Sequence, residues 1–116
     1  MITLEQAGHL KPGVRRLLAD LRDIVRRHVP KASILLYGSV ARGESAPDSD
    51  YDVLILTPKA MNSLEEAALR RAVYEMEVEQ DAVISLIVST VDDWELPITR
   101  ATPYYQNVTR EGIAVC

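Results

Sequence analysis

Cysteine is almost missing from this chain. Cys116 is the only one, so no internal disulfide can form and a zinc site would lack a second thiolate. No stretch approaches the roughly 20 consecutive apolar residues needed to span a bilayer. The opening Met1-Ile2-Thr3-Leu4-Glu5 carries neither the basic flank nor the apolar centre of a secretory signal. Aromatic residues make up 5%, and Trp94, Tyr104 and Tyr105 come late. Repeats, low-complexity runs and interdomain linkers are missing as well. The expectation is one domain over residues 1–116, in the cytoplasm, long enough for a real core though not for two.

Charge is present but unevenly spread. Net charge is −4, yet residues 1–31 carry seven Lys or Arg against three Asp or Glu, and the remainder six against fourteen. The basic set (Lys11, Arg15, Arg16, Arg22, Arg26, Arg27 and Lys31) falls on one predicted helix. Arg16–Asp20 and Asp23–Arg27 are spaced for local ion pairs, so the set reads as a solvated helix face. The acidic balance of the whole chain argues against nucleic acid as a partner.

Periodicity gives a compact alternation of elements. Pro12-Gly13 precede an apolar stripe of Val14, Leu17, Leu18, Leu21, Ile24, Val25 and His28, a helix that stops before Pro30. A strand spans about Ser33–Tyr37, and the Gly38–Ser49 loop contains a short helical turn at Val40–Arg42. The next strand covers Tyr51–Thr57 and closes at Pro58. Ser63-Leu64-Glu65-Glu66 has capping-box spacing and opens a helix to Gln80, with Leu64, Ala68, Ala72, Val73 and Met76 facing inward. A β-branched run at Ala82–Ser89 is a third strand. Asp92-Asp93-Trp94 starts a short turn or helix, and Thr102-Pro103 and Gly112 bracket a last one.

A short loop makes the first two strands antiparallel, and the long helix makes the third parallel to the second through a right-handed crossover. The expected fold is α/β, a small mixed β-sheet with helices packed on one face.

The chemistry concentrates at the end of the first strand and the start of the second. Gly38 lets a ligand approach the backbone because no Cβ intervenes. Ser39 offers a hydroxyl and an N–H to phosphate oxygens, and Arg42 adds a cation. Asp50 and Asp52 lie one pleat apart on the same strand face. A carboxylate inside the apolar run Tyr51-Asp52-Val53-Leu54-Ile55-Leu56 is costly to bury unless paired or metal-bound. Two such carboxylates suit Mg²⁺, completed by water and phosphate oxygens. A phosphate seat beside them favours nucleotidyl transfer.

Gly38-Ser39-Val40-Ala41-Arg42-Gly43 followed by Ser49-Asp50-Tyr51-Asp52 resembles the signature of the DNA polymerase beta-like nucleotidyltransferase superfamily. More narrowly, the chain resembles the minimal nucleotidyltransferases, or MNT proteins, often paired with HEPN-domain partners. The likeness extends over most of the chain, to the ending Pro103-Tyr104-Tyr105-Gln106-Asn107-Val108-Thr109-Arg110-Glu111-Gly112. It implies that Gly38 and Ser39 bind nucleotide phosphates and that Asp50 and Asp52 bind Mg²⁺. It also implies an antitoxin that transfers AMP from ATP to a hydroxyl of a HEPN toxin. Masking of that toxin without catalysis is a second reading, and transfer to a small molecule such as an aminoglycoside is a third.

The chain departs from many relatives at one position. Where they carry a third acid on the third strand, this chain has Val83-Ile84-Ser85-Leu86, and Ser85 takes the carboxylate's place. Asp81 is the nearest acid, two pleats earlier and on the same face by parity, and is the candidate third catalytic and metal-binding carboxylate. Trp94, Tyr104 and Tyr105 are candidates for a partner surface, with packing against the sheet as the alternative. A complex with a HEPN-like protein is expected, with self-association as a further option.

Overall fold

Two neighbouring strands here are apolar on both faces, Ile34-Leu35-Leu36 and Val53-Leu54-Ile55-Leu56, so the sheet they form needs cover on both sides. The computed structural model, which describes residues 1–44, 46 and 48–116, provides it. The chain runs β1 (Ile2–Thr3), α1 (Pro12–His28), β2 (Ser33–Tyr37), α2 (Gly38–Arg42), β3 (Tyr51–Thr57) and α3 (Ser63–Gln80). It continues through β4 (Ile84–Thr90), α4 (Val91–Trp94), α5 (Pro97–Arg100), α6 (Pro103–Glu111) and β5 (Ile113–Ala114). The expected loop conformation at Ser45 and Pro47 lies outside the described residues.

The five strands form one mixed sheet in the order β1-β5-β2-β3-β4. β2 is antiparallel to β3 and β5, whereas β4 is parallel to β3 and β1 is parallel to β5. The antiparallel and parallel relations expected from loop and helix lengths are both present. The register sets Asp52 opposite Tyr37 on one side and Ser85 on the other.

One sheet face, formed by Ile34, Leu36, Val53, Ile55 and Ile84, packs under α1 and α3. Leu17, Leu18, Leu21 and Val25 project from α1, and Leu69, Val73 and Met76 from α3. The two long helices thus cover one face, as expected. The opposite face holds a smaller cluster: Leu35, Leu54 and Leu56 against Trp94 of α4 and Val108 of α6. Helices on one face alone would have left those leucines in water, so the short C-terminal helices form a second layer.

Several local expectations are corrected. The capping box of α3 uses Asn62, whose side chain accepts from Glu65 N–H at 2.8 Å while Glu65 accepts from Asn62 N–H at 3.2 Å. The cap therefore precedes Ser63. Leu64 is 83% exposed and Ala68 is exposed, while Leu69 joins Val73 and Met76 in the buried stripe. β4 begins at Ile84, because the residues before it turn out of α3. Neither Arg16–Asp20 nor Asp23–Arg27 forms an ion pair among the described residues; Arg22 instead reaches Glu5 at 3.7 Å. Arg15 donates to the carbonyls of Leu4 and Ala7, tying the segment before α1 to the helix. Among the described residues no helix is long and apolar enough to cross a membrane.

Candidate functional site

β2 ends at Tyr37 and the chain turns at once into α2, a change of direction that needs Gly38. Its φ is +80°, the left-handed region that side chains with a Cβ seldom adopt. A Cβ there would overlap Asp52 Oδ2 and lie 3.1 Å from Asp52 Cγ. The Asp52 carboxylate is thus packed directly against the Gly38 backbone. Gly43, at φ +74°, closes α2 with its N–H on the carbonyls of Ser39 and Val40. Ser39 sits half-buried in the first turn.

Asp52 faces away from α1 and α3, on the same side of the sheet as Leu35, Tyr37 and Leu54. Asp50 precedes β3 and is exposed. Burial pushes the Asp52 carboxyl above its ordinary value, and the charges of Asp50 and Glu111 push the same way, partly offset by Arg42. Crowded carboxylates of this kind attract a cation. Asp50 and Asp52 therefore fit a hard divalent ion, which needs only one or two protein carboxylates when water and phosphate complete its shell.

Glu111 is the residue that sequence reasoning missed. It ends α6, and its Oε1 accepts from Gly38 N–H at 3.0 Å. Its Oε2 accepts from Arg42 Nη1 at 2.9 Å, while Arg42 Nε donates to Glu44 Oε2 at 3.0 Å. Burial raises the Glu111 carboxyl, but the Arg42 guanidinium and the Gly38 N–H outweigh it and hold the group below its usual range. Glu111 lies 73 positions from Gly38 in sequence. No local pattern announces it; only the β2–β5 pairing, which follows directly on α6, carries it there. An open cleft of about 510 Å³ lies beside it, lined in part by His9, Ala41, Arg42, Glu44 and Arg110.

An aromatic wall flanks the carboxylates. Tyr104 Oη donates to Tyr37 Oη at 3.0 Å, with the rings edge-on at 5.5 Å between centroids. Burial raises both phenols, with the Asp52 charge adding to the effect. Trp94 is 6% exposed and touches the rings of Tyr104 and Tyr105. The three late aromatics therefore pack onto the sheet rather than standing out as a free surface.

Asp81 is not on a strand. It caps α3 in the left-handed conformation, φ 50° and ψ 50°, and is exposed. Counting parity from Asp81 to Ser85 requires extended backbone throughout, and the helix cap breaks that count. α3 also packs on the face opposite Asp52. Among the described residues no three His, Cys, Asp or Glu side chains are spaced to hold a metal, so the structure does not bring Asp81 to the aspartate pair. Ser85 is the residue that flanks Asp52 on β4.

The profile of the nucleotidyltransferase domain family matches residues 18–114. The structure is similar to a chain of a toxin–antitoxin complex with AMP-PNP, at 19% identity and a TM-score of 0.60, over 85% of this chain and 72% of that one. It is also similar to a chain of a complex between a tri-AMPylated HEPN toxin of Shewanella oneidensis and its MNT antitoxin. That match has 16% identity and a TM-score of 0.54, over 88% of this chain and 71% of that one. A protein assigned as a minimal nucleotidyltransferase matches at 23% identity and a TM-score of 0.58, over 97% of this chain and 95% of that one. At these identities the likeness shows the fold. No match is found among curated proteins.

Proposed function

Because the chain belongs to the nucleotidyltransferase domain family, we propose that it transfers AMP from ATP to a hydroxyl of a HEPN-type partner protein. The observation that carries this reading is the packing of Asp52 against the positive-φ backbone of Gly38, with Asp50 beside it. Phosphate oxygens and carboxylates repel unless a cation lies between them, so their shared corner suits a metal-bound triphosphate. Two of the similar complexes, one a toxin–antitoxin pair with AMP-PNP and one an AMPylated HEPN toxin with its MNT antitoxin, support the choice of donor and partner.

In this reading Gly38 and Ser39 hold the phosphates through backbone N–H groups and the Ser39 hydroxyl, and Arg42 balances their charge. Asp50 and Asp52 would hold Mg²⁺, which when bound neutralises charge at the α-phosphate and orients the leaving pyrophosphate. The acceptor oxygen forms a bond to the α-phosphorus as the bond from that phosphorus to pyrophosphate breaks. The acceptor oxygen's proton leaves to solvent water, because both aspartates would be engaged with the cation. Tyr37, paired with Asp52 across the ladder, and Tyr104 form the aromatic wall beside it.

The test is incubation with labelled ATP, Mg²⁺ and the product of the adjacent gene. Wild type should label that partner, and Asp50→Ala with Asp52→Ala should not. Equal labelling by both proteins refutes the assignment. Neutralisation that survives loss of both aspartates would identify masking instead, and labelling of an aminoglycoside without protein acceptor would identify a small-molecule enzyme.

A further inference from the structure

The Gly38 N–H and the Arg42 guanidinium are the donors that the proposed function assigns to phosphate, yet both are held by Glu111. We propose that the Glu111 carboxylate is the resident anion of the phosphate seat, an internal competitor that a nucleotide must displace. This rests on the nucleotidyltransferase reading of Gly38 and Arg42.

Glu111 and a phosphate group have matched chemistry. A backbone N–H turned into a protein needs an acceptor, and a charged one is the strongest available. Phosphate offers the same kind of oxygen with more negative charge. Glu111 and phosphate cannot share a single N–H donor with Asp52 packed against the same glycine, so binding is an exchange. The exchange has room to occur, because Glu111 lines the open cleft of about 510 Å³ and can swing into it beside Arg110. Its grip is also breakable: Arg42 is 42% exposed and divides its contacts between Glu44 and Glu111.

The competition acts on affinity and on selectivity. Apparent nucleotide affinity is lowered by the fraction of molecules whose seat is closed. Weak single-charge anions fail to displace Glu111 where a metal-bound triphosphate succeeds, so the carboxylate sharpens selection for highly charged ligands.

The experiment is calorimetric titration of ATP with Mg²⁺ into wild type, Glu111→Gln and Glu111→Ala, with thermal melts of each. The neutral amide still accepts from Gly38 but loses its attraction for Arg42, so Glu111→Gln should bind about five-fold tighter than wild type. Glu111→Ala should bind at least as tightly as Glu111→Gln. Affinity that is unchanged or weaker in folded variants overturns the proposal. If the variants do not fold, wild type decides alone: ATP with Mg²⁺ should shift the amide resonance of Gly38 and the side-chain Nε–H of Arg42. Saturation that leaves both signals in place overturns it. Absence of ATP binding in wild type and variants alike would instead bring down the nucleotide reading as a whole, a result distinct from equal binding by all three.

Discussion

The two faces of this sheet are built from the same strands and do opposite work. Under α1 and α3 the strands present Ile34, Leu36, Val53, Ile55 and Ile84, a continuous apolar layer. Turned over, the same strands present Leu35, Leu54 and Leu56 to a smaller apolar cluster, and at its Tyr37 end that packing gives way to the Asp52 carboxylate. Alternation along a strand lets one segment contribute to the core and to the site with neighbouring residues. The division predicts that changes beneath the long helices should cost stability and changes at the carboxylate corner should cost chemistry.

The sharpest break in that division comes from the aspartates. Asp50→Ala with Asp52→Ala should lower partner labelling by about a thousand-fold or more, because both groups that would hold the cation are gone. Melting temperature should not fall, since no buried apolar contact is lost. Single-turnover labelling beside a thermal melt checks both halves.

Next in size is a change beneath the long helices. Leu21 is fully buried on α1, and Leu21→Ala should cost about 3 kcal/mol of stability in urea unfolding. Labelling per folded molecule should stay within about two-fold of wild type. A large catalytic loss without a stability loss would break the comparison.

A smaller effect has the opposite sign. Burial and the neighbouring acids raise Asp52 above its ordinary value of 3.8. A carboxyl raised on folding supports the fold only below its unfolded value and loses that support as pH rises through the folded value. Asp52→Asn should therefore melt about 2 °C above wild type at pH 7. The two should converge as pH falls below 3.8. Glu111, held low by Arg42 and Gly38, acts in reverse: its contribution is present at neutral pH and lost as acid protonates it. Melts at several pH values distinguish the two groups.

The smallest expected effect is at Asp81. Asn tolerates the left-handed cap almost as well as Asp, so Asp81→Asn should change stability by less than about 0.5 kcal/mol. Labelling should stay within about two-fold. Abolished labelling would restore Asp81 as the third acid.

Short-range rules govern the parts of this molecule that are legible in its sequence. β2, β3, α3 and α6 are found at their expected bounds because Pro58, Gly112 and the capping residues punctuate them locally. Gly38, Asp50 and Asp52 stand out because a strand that serves only the core has no use for a glycine at its exit or an acid within its apolar run. Spacing places α3 and the buried Val73 and Met76 correctly but misreads its first turns: Asn62 and Ser63 both precede a glutamate by three, and Leu64 and Ala68 face solvent where Leu69 is buried. β1 and β5, two residues each, have no periodicity to read. Glu111 is hidden for the same reason. Its position depends on β5 pairing with β2, a tertiary event, and nothing in its neighbourhood distinguishes it from a solvated glutamate at a helix end.

The bond from Glu111 to Gly38 also says something about the order in which the molecule comes together. Tyr37 and Asp52 are paired neighbours in an antiparallel ladder, so that half of the corner closes over a short connection. Glu111 arrives across a separation of 73 residues. Loop-closure entropy makes the longer connection dearer by about 1.5 kcal/mol. The aspartate–glycine corner should therefore assemble with the β2–β3 pair, and its occupant should dock only after β5 has found its place beside β2. A chain whose final strand has not yet docked would carry the corner open.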